Sequence, residues 1–291
     1  NTIYNIIIDT MNVIVITNQN GGVAKTTSSL NISHGLANKG FRVLSIDTDA
    51  QSHLSLACGI QYKELNFKSF DVNDPSTYEK ASLEGKDEPS ILELLEADDN
   101  FQEVLEHSRK RIADRFDLIP SNPRLGLYAS VNLPQKMDRE RRLKSFLDGI
   151  DEDQYDFVVI DSPPSFGIVG INNLVAAHHV IIPVELDAFS MFGMRDMFDT
   201  IGKVHKKLNQ DLQLLGIVAV KVRPTELLAR KFAKLYDQNF DNKYFASYVR
   251  HNIAISKAVA LKQSIFDFDI HSNGAHDYMR VVNEIIEKVN Q

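Results

Sequence analysis

The sequence predicts an α/β fold, a mostly parallel twisted sheet flanked by helices on both faces. Three observations predict it. Short apolar, β-branched runs alternate with longer amphipathic stretches along the chain. The runs are apolar at consecutive positions, as strands buried on both faces require. The residues suited to chemistry fall where three of these runs end, which is where open parallel sheets bind ligands.

The elements follow in order. Val13-Ile14-Val15-Ile16-Thr17 marks a first strand over 12–17, and the stretch 25–38 reads as a helix stopped by Gly40. Further strands are expected at 42–47, 115–119, 156–161, 179–184 and 214–220, each an apolar run bounded by polar or turn residues. Helices are expected at 90–106, 138–149, 168–177, 190–208, 225–240 and 275–289, where apolar residues recur at helical spacing. Residues 1–10 read as an N-terminal extension, and 11–291 as a single domain with an acidic, irregular excursion near 66–106.

Bulk composition narrows the function. The 291 residues are 43% hydrophobic, enough for a sizeable core, and no run of eighteen apolar residues predicts a membrane span. The single cysteine, Cys58, excludes an intrachain disulfide and a cysteine-rich metal site, and predicts a reduced, cytoplasmic setting. Histidines such as His178, His179, His271 and His276 lack zinc-ligand spacing. The net charge of −7 argues against nucleic acid, but its distribution does not. Residues 71–106 hold twelve acids and two lysines, whereas 203–262 hold twelve Lys/Arg and four acids. Such a basic segment either forms a solvated helical face or grips a polyanion through its phosphates.

The chemistry begins at Asn18-Gln19-Asn20-Gly21-Gly22-Val23-Ala24-Lys25-Thr26-Thr27, between the first strand and the first helix. Strand, glycine-rich turn, Lys-Thr and helix is the layout of a phosphate-binding loop. Glycines let the backbone approach an anion, and N–H groups at the helix start point toward it. Lys25 would reach the β/γ-phosphates and the Thr26 hydroxyl would sit on Mg²⁺. The general pattern G-x-x-x-x-G-K-[ST] fails at both glycines, here Gln19 and Ala24. The strand at 42–47 ends in Asp47-Thr48-Asp49, two acids suited to holding hydrated Mg²⁺ and orienting an attacking water, or to capping a turn. The strand at 156–161 ends in Asp161-Ser162-Pro163-Pro164, an apolar run closing on a carboxylate within reach of a metal.

In order and spacing these pieces resemble the ParA/Soj-type partition ATPases, a branch of the deviant Walker A P-loop group that includes MinD and the nitrogenase iron protein. The family loop K-G-G-x-G-K-T-T corresponds to Asn20 through Thr27, and its D-x-D-P-Q-G-N to Asp47 through His53. The resemblance continues through Leu118-Ile119-Pro120-Ser121-Asn122, Tyr155 to Gly167, Asp187 to Met194, Tyr248 to Ala258 and Ser272 to Tyr278, covering about residues 11–290. It implies ATP/ADP and Mg²⁺ as cofactors, with residues 20–27 on the nucleotide. Lys25 and Asp49 are then catalytic, and Thr26, Asp47 and Asp161 serve the metal. It also implies a homodimer formed on ATP binding, non-specific duplex DNA held through Arg223, Arg230, Arg250 and Lys257, and a ParB-like centromere-binding partner that stimulates hydrolysis. The implied location is the bacterial cytoplasm, on the nucleoid and not on a membrane.

Two departures qualify these expectations. The family's signature lysine, which contacts the other subunit's phosphates, is Asn20 here. Slow hydrolysis, a weaker nucleotide-dependent dimer, or both are therefore expected. Ala24 adds a methyl where glycine is usual, harmless at negative φ and costly at positive φ. Two rival readings remain at this level: a hydrolysis-poor ATP-binding regulator or adaptor, and a MinD-like membrane positioner. The second is disfavoured because residues 279–289 hold two basic and two acidic side chains and no aromatic.

Overall fold

A computed structural model describes residues 10–60, 89–151 and 153–291. Seven strands form one sheet: β1 (Asn12–Ile16), β2 (Val43–Asp47), β3 (Lys110–Ala113), β4 (Phe116–Ile119), β5 (Phe157–Asp161), β6 (His179–Val184) and β7 (Gln213–Ala219). Their order is β3-β4-β2-β5-β1-β6-β7. Every pairing is parallel except β3 with β4. Six strands lie within a residue or so of the sequence expectation. The seventh, β3, was missed because Lys110-Arg111-Ile112-Ala113 is too polar to read as a strand. Its cations sit at a sheet edge, where charge discourages pairing with another chain.

The parallel strands are buried on both faces, and period-two alternation divides their side chains between two cores. Val13, Val15, Leu44, Ile46, Val158 and Ile160 face one way. Their cover comes from α3 (Ile91–Glu96), α4 (Phe101–Ser108), α5 (Leu125–Val131), α6 (Arg142–Asp148), α7 (Ile168–Ala176) and α8 (Ala188–Lys207). Ile14, Ile16, Val43, Phe157 and Val159 face the other way. That side is covered by α1 (Lys25–Asn38), α10 (Ile253–Ala260), α11 (Ile265–Asp269) and α12 (Asn273–Val289). Two further helices, α2 (His53–Ala57) and α9 (Leu227–Phe240), complete the set among the described residues.

The expected helix at 90–106 is two, α3 and α4, broken at Asn100, which adopts the left-handed region with φ 56°. Ser90 and Glu93 form a reciprocal capping box at the start of α3. Much of the expected acidic excursion lies outside the described residues. Its end is ordered: Ile91, Leu92, Leu94, Leu95 and Leu105 are buried in the first core. The final helix, α12, buries Tyr278, Val281, Val282, Ile285 and Ile286. Gly35 of α1 permits this close packing, since a Cβ there would lie 2.6 Å from Val282 Cγ2.

At the opposite end of the sheet from the strand termini that carry the chemistry, His178 and Val13 are joined twice. The His178 N–H donates to the Val13 carbonyl at 2.9 Å, and the Val13 N–H donates to His178 Nδ1 at 3.1 Å. The second bond requires a neutral imidazole, and burial lowers the pKa of His178. Burial, reinforced by His178, pushes His179 down to about 4. Both groups are more readily protonated in the unfolded chain. Their contribution is full above the ordinary His value, about 6.5, and is lost as pH falls toward the folded value. We predict that lowering pH from 7.5 to 5 costs about 1–2 kcal/mol from this pair, discounted for partial exposure. Thermal melts of the wild type and a His178→Gln/His179→Gln variant check it: equal pH slopes would remove these histidines from the account.

Candidate functional site

The phosphate-loop segment leaves β1 in the middle of the sheet and enters α1. Buried Asn18 pins it, donating through Nδ2 to the Pro183 carbonyl of β6 at 2.7 Å and accepting from the Asn20 N–H at 2.9 Å. Gly22 has φ 76°, the left-handed region that favours glycine. Helix α1 then starts with no side-chain cap and no acid in its first turn. Its first N–H groups have no intrahelical acceptor, which leaves a positive dipole end over the cleft. Lys25 folds back and donates from Nζ to the Asn20 carbonyl at 2.8 Å. Burial lowers its pKa, opposed by the carboxylates of Asp161 and Asp49.

Beside the loop, β2 and β5 end together, with Asp47 and Asp161 partners in parallel register. Asp161 is 1% exposed. It accepts from the Thr26 hydroxyl through Oδ2 and from the Ser29 hydroxyl through Oδ1, each at 2.8 Å. Asp47 is fully buried and accepts from the Ser55 N–H at 2.8 Å, the Ser55 hydroxyl at 2.7 Å and the Asp49 N–H at 3.1 Å. Burial raises both carboxyl pKa values; the Asp47 carboxylate adds to the rise at Asp161, and Asp49 adds to both. Asp49 is partly exposed and lines the cleft with Lys25 and Thr26. Thr48, between the two acids, donates to the Asp161 carbonyl at 2.7 Å and accepts from Asn173 at 2.7 Å.

The five side chains expected to carry the chemistry, Lys25, Thr26, Asp47, Asp49 and Asp161, therefore converge. Ser29, Ser55, Thr48 and Asn173 were not foreseen. Ser29 was legible, since it lies four residues after Lys25 on the same helix face. The others depend on tertiary placement.

Ala24 resolves an open condition of the sequence. Its φ is 57° and ψ 30°, so alanine occupies the left-handed region. Ala24→Gly is predicted to stabilise the protein by about 1 kcal/mol, a rise in Tm of about 2–4 °C. A melt unchanged or lowered in the variant would show that the loop relaxes elsewhere.

Two connected cavities meet above the loop. One, of about 790 Å³, is lined by Gly21, Lys25, Thr26, Asp49 and Pro164 among others. The other, of about 620 Å³, runs toward Arg223, Arg250, Asn252, Ile255 and Tyr278. Ala24, Thr27, Lys221 and Val259 line both. The first offers an ammonium, helix N–H groups and hard oxygen donors, which fit a polyphosphate and a hydrated Mg²⁺. Among the described residues no group of three or more His, Cys, Asp or Glu could hold a metal by itself.

The residues expected to contact DNA stand on different elements: Arg250 is bridged to Val222 beside Arg223, Arg230 is on α9 and Lys257 on α10. Arg223 and Arg250 line the smaller cavity. Arg223 lies 3.5 Å from Glu226, and the Arg230 guanidinium donates to the Pro224 carbonyl at 2.8 Å. Arg230 is exposed on α9 with Lys231 and Lys234, while Lys257 is exposed on α10. Arg250 is committed elsewhere: its guanidinium donates to both oxygens of buried Asp277 at 2.8 Å, and its N–H donates at 3.0 Å. Arg280 reaches the same carboxylate at 2.5 Å.

Comparison with known proteins agrees with this geometry. A family model described as an AAA domain, AAA_31, matches residues 11–214. The chain is 28% identical to the sporulation initiation inhibitor protein Soj of Bacillus subtilis over 273 residues, covering 94% of this chain and 97% of Soj. It is 27% identical to the chromosome partitioning protein ParA of Caulobacter vibrioides, covering 96% and 95%. An uncharacterized Methanocaldococcus jannaschii protein is 33% identical, covering 96% of this chain and all of that one. Among solved structures, Mycobacterium smegmatis cobyrinic acid a,c-diamide synthase with bound ADP and magnesium superposes with a TM-score of 0.73 at 26% identity, covering 94% and 93%. A putative plasmid partition protein of Borrelia burgdorferi bound to AMPPNP shares the fold, with a TM-score of 0.69 at 22% identity over 96% and 98%. The chain belongs to the AAA domain family AAA_31, among the ParA/Soj-type P-loop ATPases.

Proposed function

We propose that this chain binds ATP with Mg²⁺ in the loop cleft and works as a ParA/Soj-type partition ATPase. The observation that carries the reading is the hydrogen bond from the Thr26 hydroxyl to Asp161, beside Lys25, at the joined ends of β1, β2 and β5. Lys25 would hold the β/γ-phosphates, and the Thr26 hydroxyl with Asp161, backed by Asp47, would hold Mg²⁺. Asp49 orients the attacking water at the cleft wall. Mg²⁺, when bound, offsets the charge of the phosphates.

The proposed cycle is the one the family resemblance implies: ATP closes two copies into a dimer, the dimer holds duplex DNA without sequence preference, and a ParB-like partner triggers hydrolysis. Arg223, Arg230, Arg250 and Lys257 are the proposed contacts. The location that follows is the cytoplasm, on the nucleoid; no described helix is long and apolar enough to cross a membrane. A MinD-like surface helix finds no support in α12, whose apolar face is buried. Hydrolysis is slow in this proposal because Asn20 is uncharged. The Asn20 side chain lies beside Gly193 of its own chain, 3.4 Å from where a Cβ would stand. The missing charge at Asn20, with Ala24, carries the second reading, an ATP-binding regulator with little turnover.

Phosphate release with Mg²⁺-ATP, random duplex DNA and a centromere-binding partner separates the two readings; background turnover under every condition, with ATP still bound, would select the regulator. The DNA face is tested with Arg230→Ala/Lys257→Ala. Arg250→Ala is a poor probe alone, because it leaves the buried Asp277 carboxylate short of its bidentate partner. We predict that the double variant loses about tenfold in affinity for duplex DNA, with a shallower salt dependence. Unchanged binding would remove this face.

A further inference from the structure

Lys221 lies 199 positions from Gly22, yet its ammonium donates to the Gly22 carbonyl at 2.6 Å. The same Nζ donates to Glu185 at 2.8 Å, at the end of β6. Its backbone is left-handed, with φ 53°, a conformation that is disfavoured for a non-glycine residue and persists where surroundings enforce it. The surroundings do so here. The Val220 N–H bonds to Val184, and the Val222 N–H bonds to Val249, so the chain is tied on both sides of Lys221. The strained residue is aimed at the loop from the wall where the two cavities meet.

Two carbonyls of the loop, at Asn20 and Gly22, therefore each carry an ammonium, from Lys25 and from Lys221. A bond to a neutral carbonyl leaves a cation free to exchange it for a charged oxygen, since charge-assisted pairs are about twice as strong as neutral ones. Its contact with Glu185 is half-exposed and weakly held. We infer that Lys221 is a second phosphate-binding lysine, which moves from the Gly22 carbonyl to the nucleotide's phosphate chain and supplies, within the same subunit, positive charge that Asn20 does not. This inference rests on the nucleotide reading of the cleft.

The test measures Mg²⁺-ATP and Mg²⁺-ADP affinity by calorimetry for wild type, Lys25→Ala, Lys221→Met, Lys221→Gly, Lys221→Arg and Glu185→Gln. Lys221→Gly relieves the left-handed strain while removing the ammonium, so a loss of affinity with a retained melting temperature is not misfolding. The expected result is about tenfold weaker binding of both nucleotides in Lys221→Met and Lys221→Gly, recovery in Lys221→Arg, and no loss in Glu185→Gln. Wild-type affinity in both ammonium-deleted variants would overturn the inference, while loss in Lys25→Ala would keep the nucleotide reading. Equal losses in Lys221→Met and Glu185→Gln, with both melting temperatures lowered, would make the contact a structural strut and also overturn it. No nucleotide binding by wild type would overturn both.

Discussion

Asp161→Asn is expected to lower Mg²⁺-supported ATP turnover by about 100-fold or more while stabilising the nucleotide-free protein at pH 8. The first effect follows from the site: the Thr26 and Ser29 hydroxyls converge on this carboxylate, and an amide supplies no negative charge to hold the metal. The second follows from burial. Asp161 and Asp47 are partners in register, and burial holds both pKa values above the ordinary carboxylate range. The folded protein therefore keeps protons that the unfolded chain has released. Their stabilising contribution is full at low pH and is lost as pH rises between about 4 and neutrality. Replacing Asp161 by a neutral amide removes that loss. Thermal melts at pH 5 and pH 8 without nucleotide, beside phosphate release with Mg²⁺, measure both effects. A variant that keeps wild-type turnover would displace Asp161 from the metal, and one less stable at pH 8 would contradict the electrostatic account.

Asn20→Lys is expected to raise turnover by at least about tenfold, since a positive charge at phosphoryl transfer contributes far more than that in its most favourable placements. Asn20 sits on the loop with its N–H bonded to Asn18 and its carbonyl taken by Lys25. Both bonds use the backbone, so the substitution leaves the loop's framework in place. If the new charge works across a dimer, the gain will grow with protein concentration. If turnover is unchanged at every concentration, the missing charge is not the brake.

The sequence alone determined the parallel sheet and the residues at its strand ends. Consecutive β-branched residues can be satisfied by burial on both faces, and strand ends beside a glycine-rich turn need only local chain geometry. Lys25, Thr26, Asp49 and Asp161 were therefore legible as candidates at strand ends, and the structure brings them to one cleft. Local structure that depends on weak or polar signals was not legible. Strand β3 has no apolar repeat, and the break at Asn100 divides a helical pattern that reads as continuous.

Only the tertiary structure decided the rest, because it concerns distance between segments far apart in the chain. Whether Ala24 is harmless depended on one dihedral, and its φ of 57° makes it strained. Arg250, expected from the resemblance to contact DNA, is bound to buried Asp277 because α12 packs beside it. Lys221, unremarkable in a basic stretch, reaches the loop through the order of β1, β6 and β7 in the sheet. Residue type and spacing specify which groups can ionise, donate or coordinate; the packed sheet fixes which of them meet, and through burial how strongly they interact.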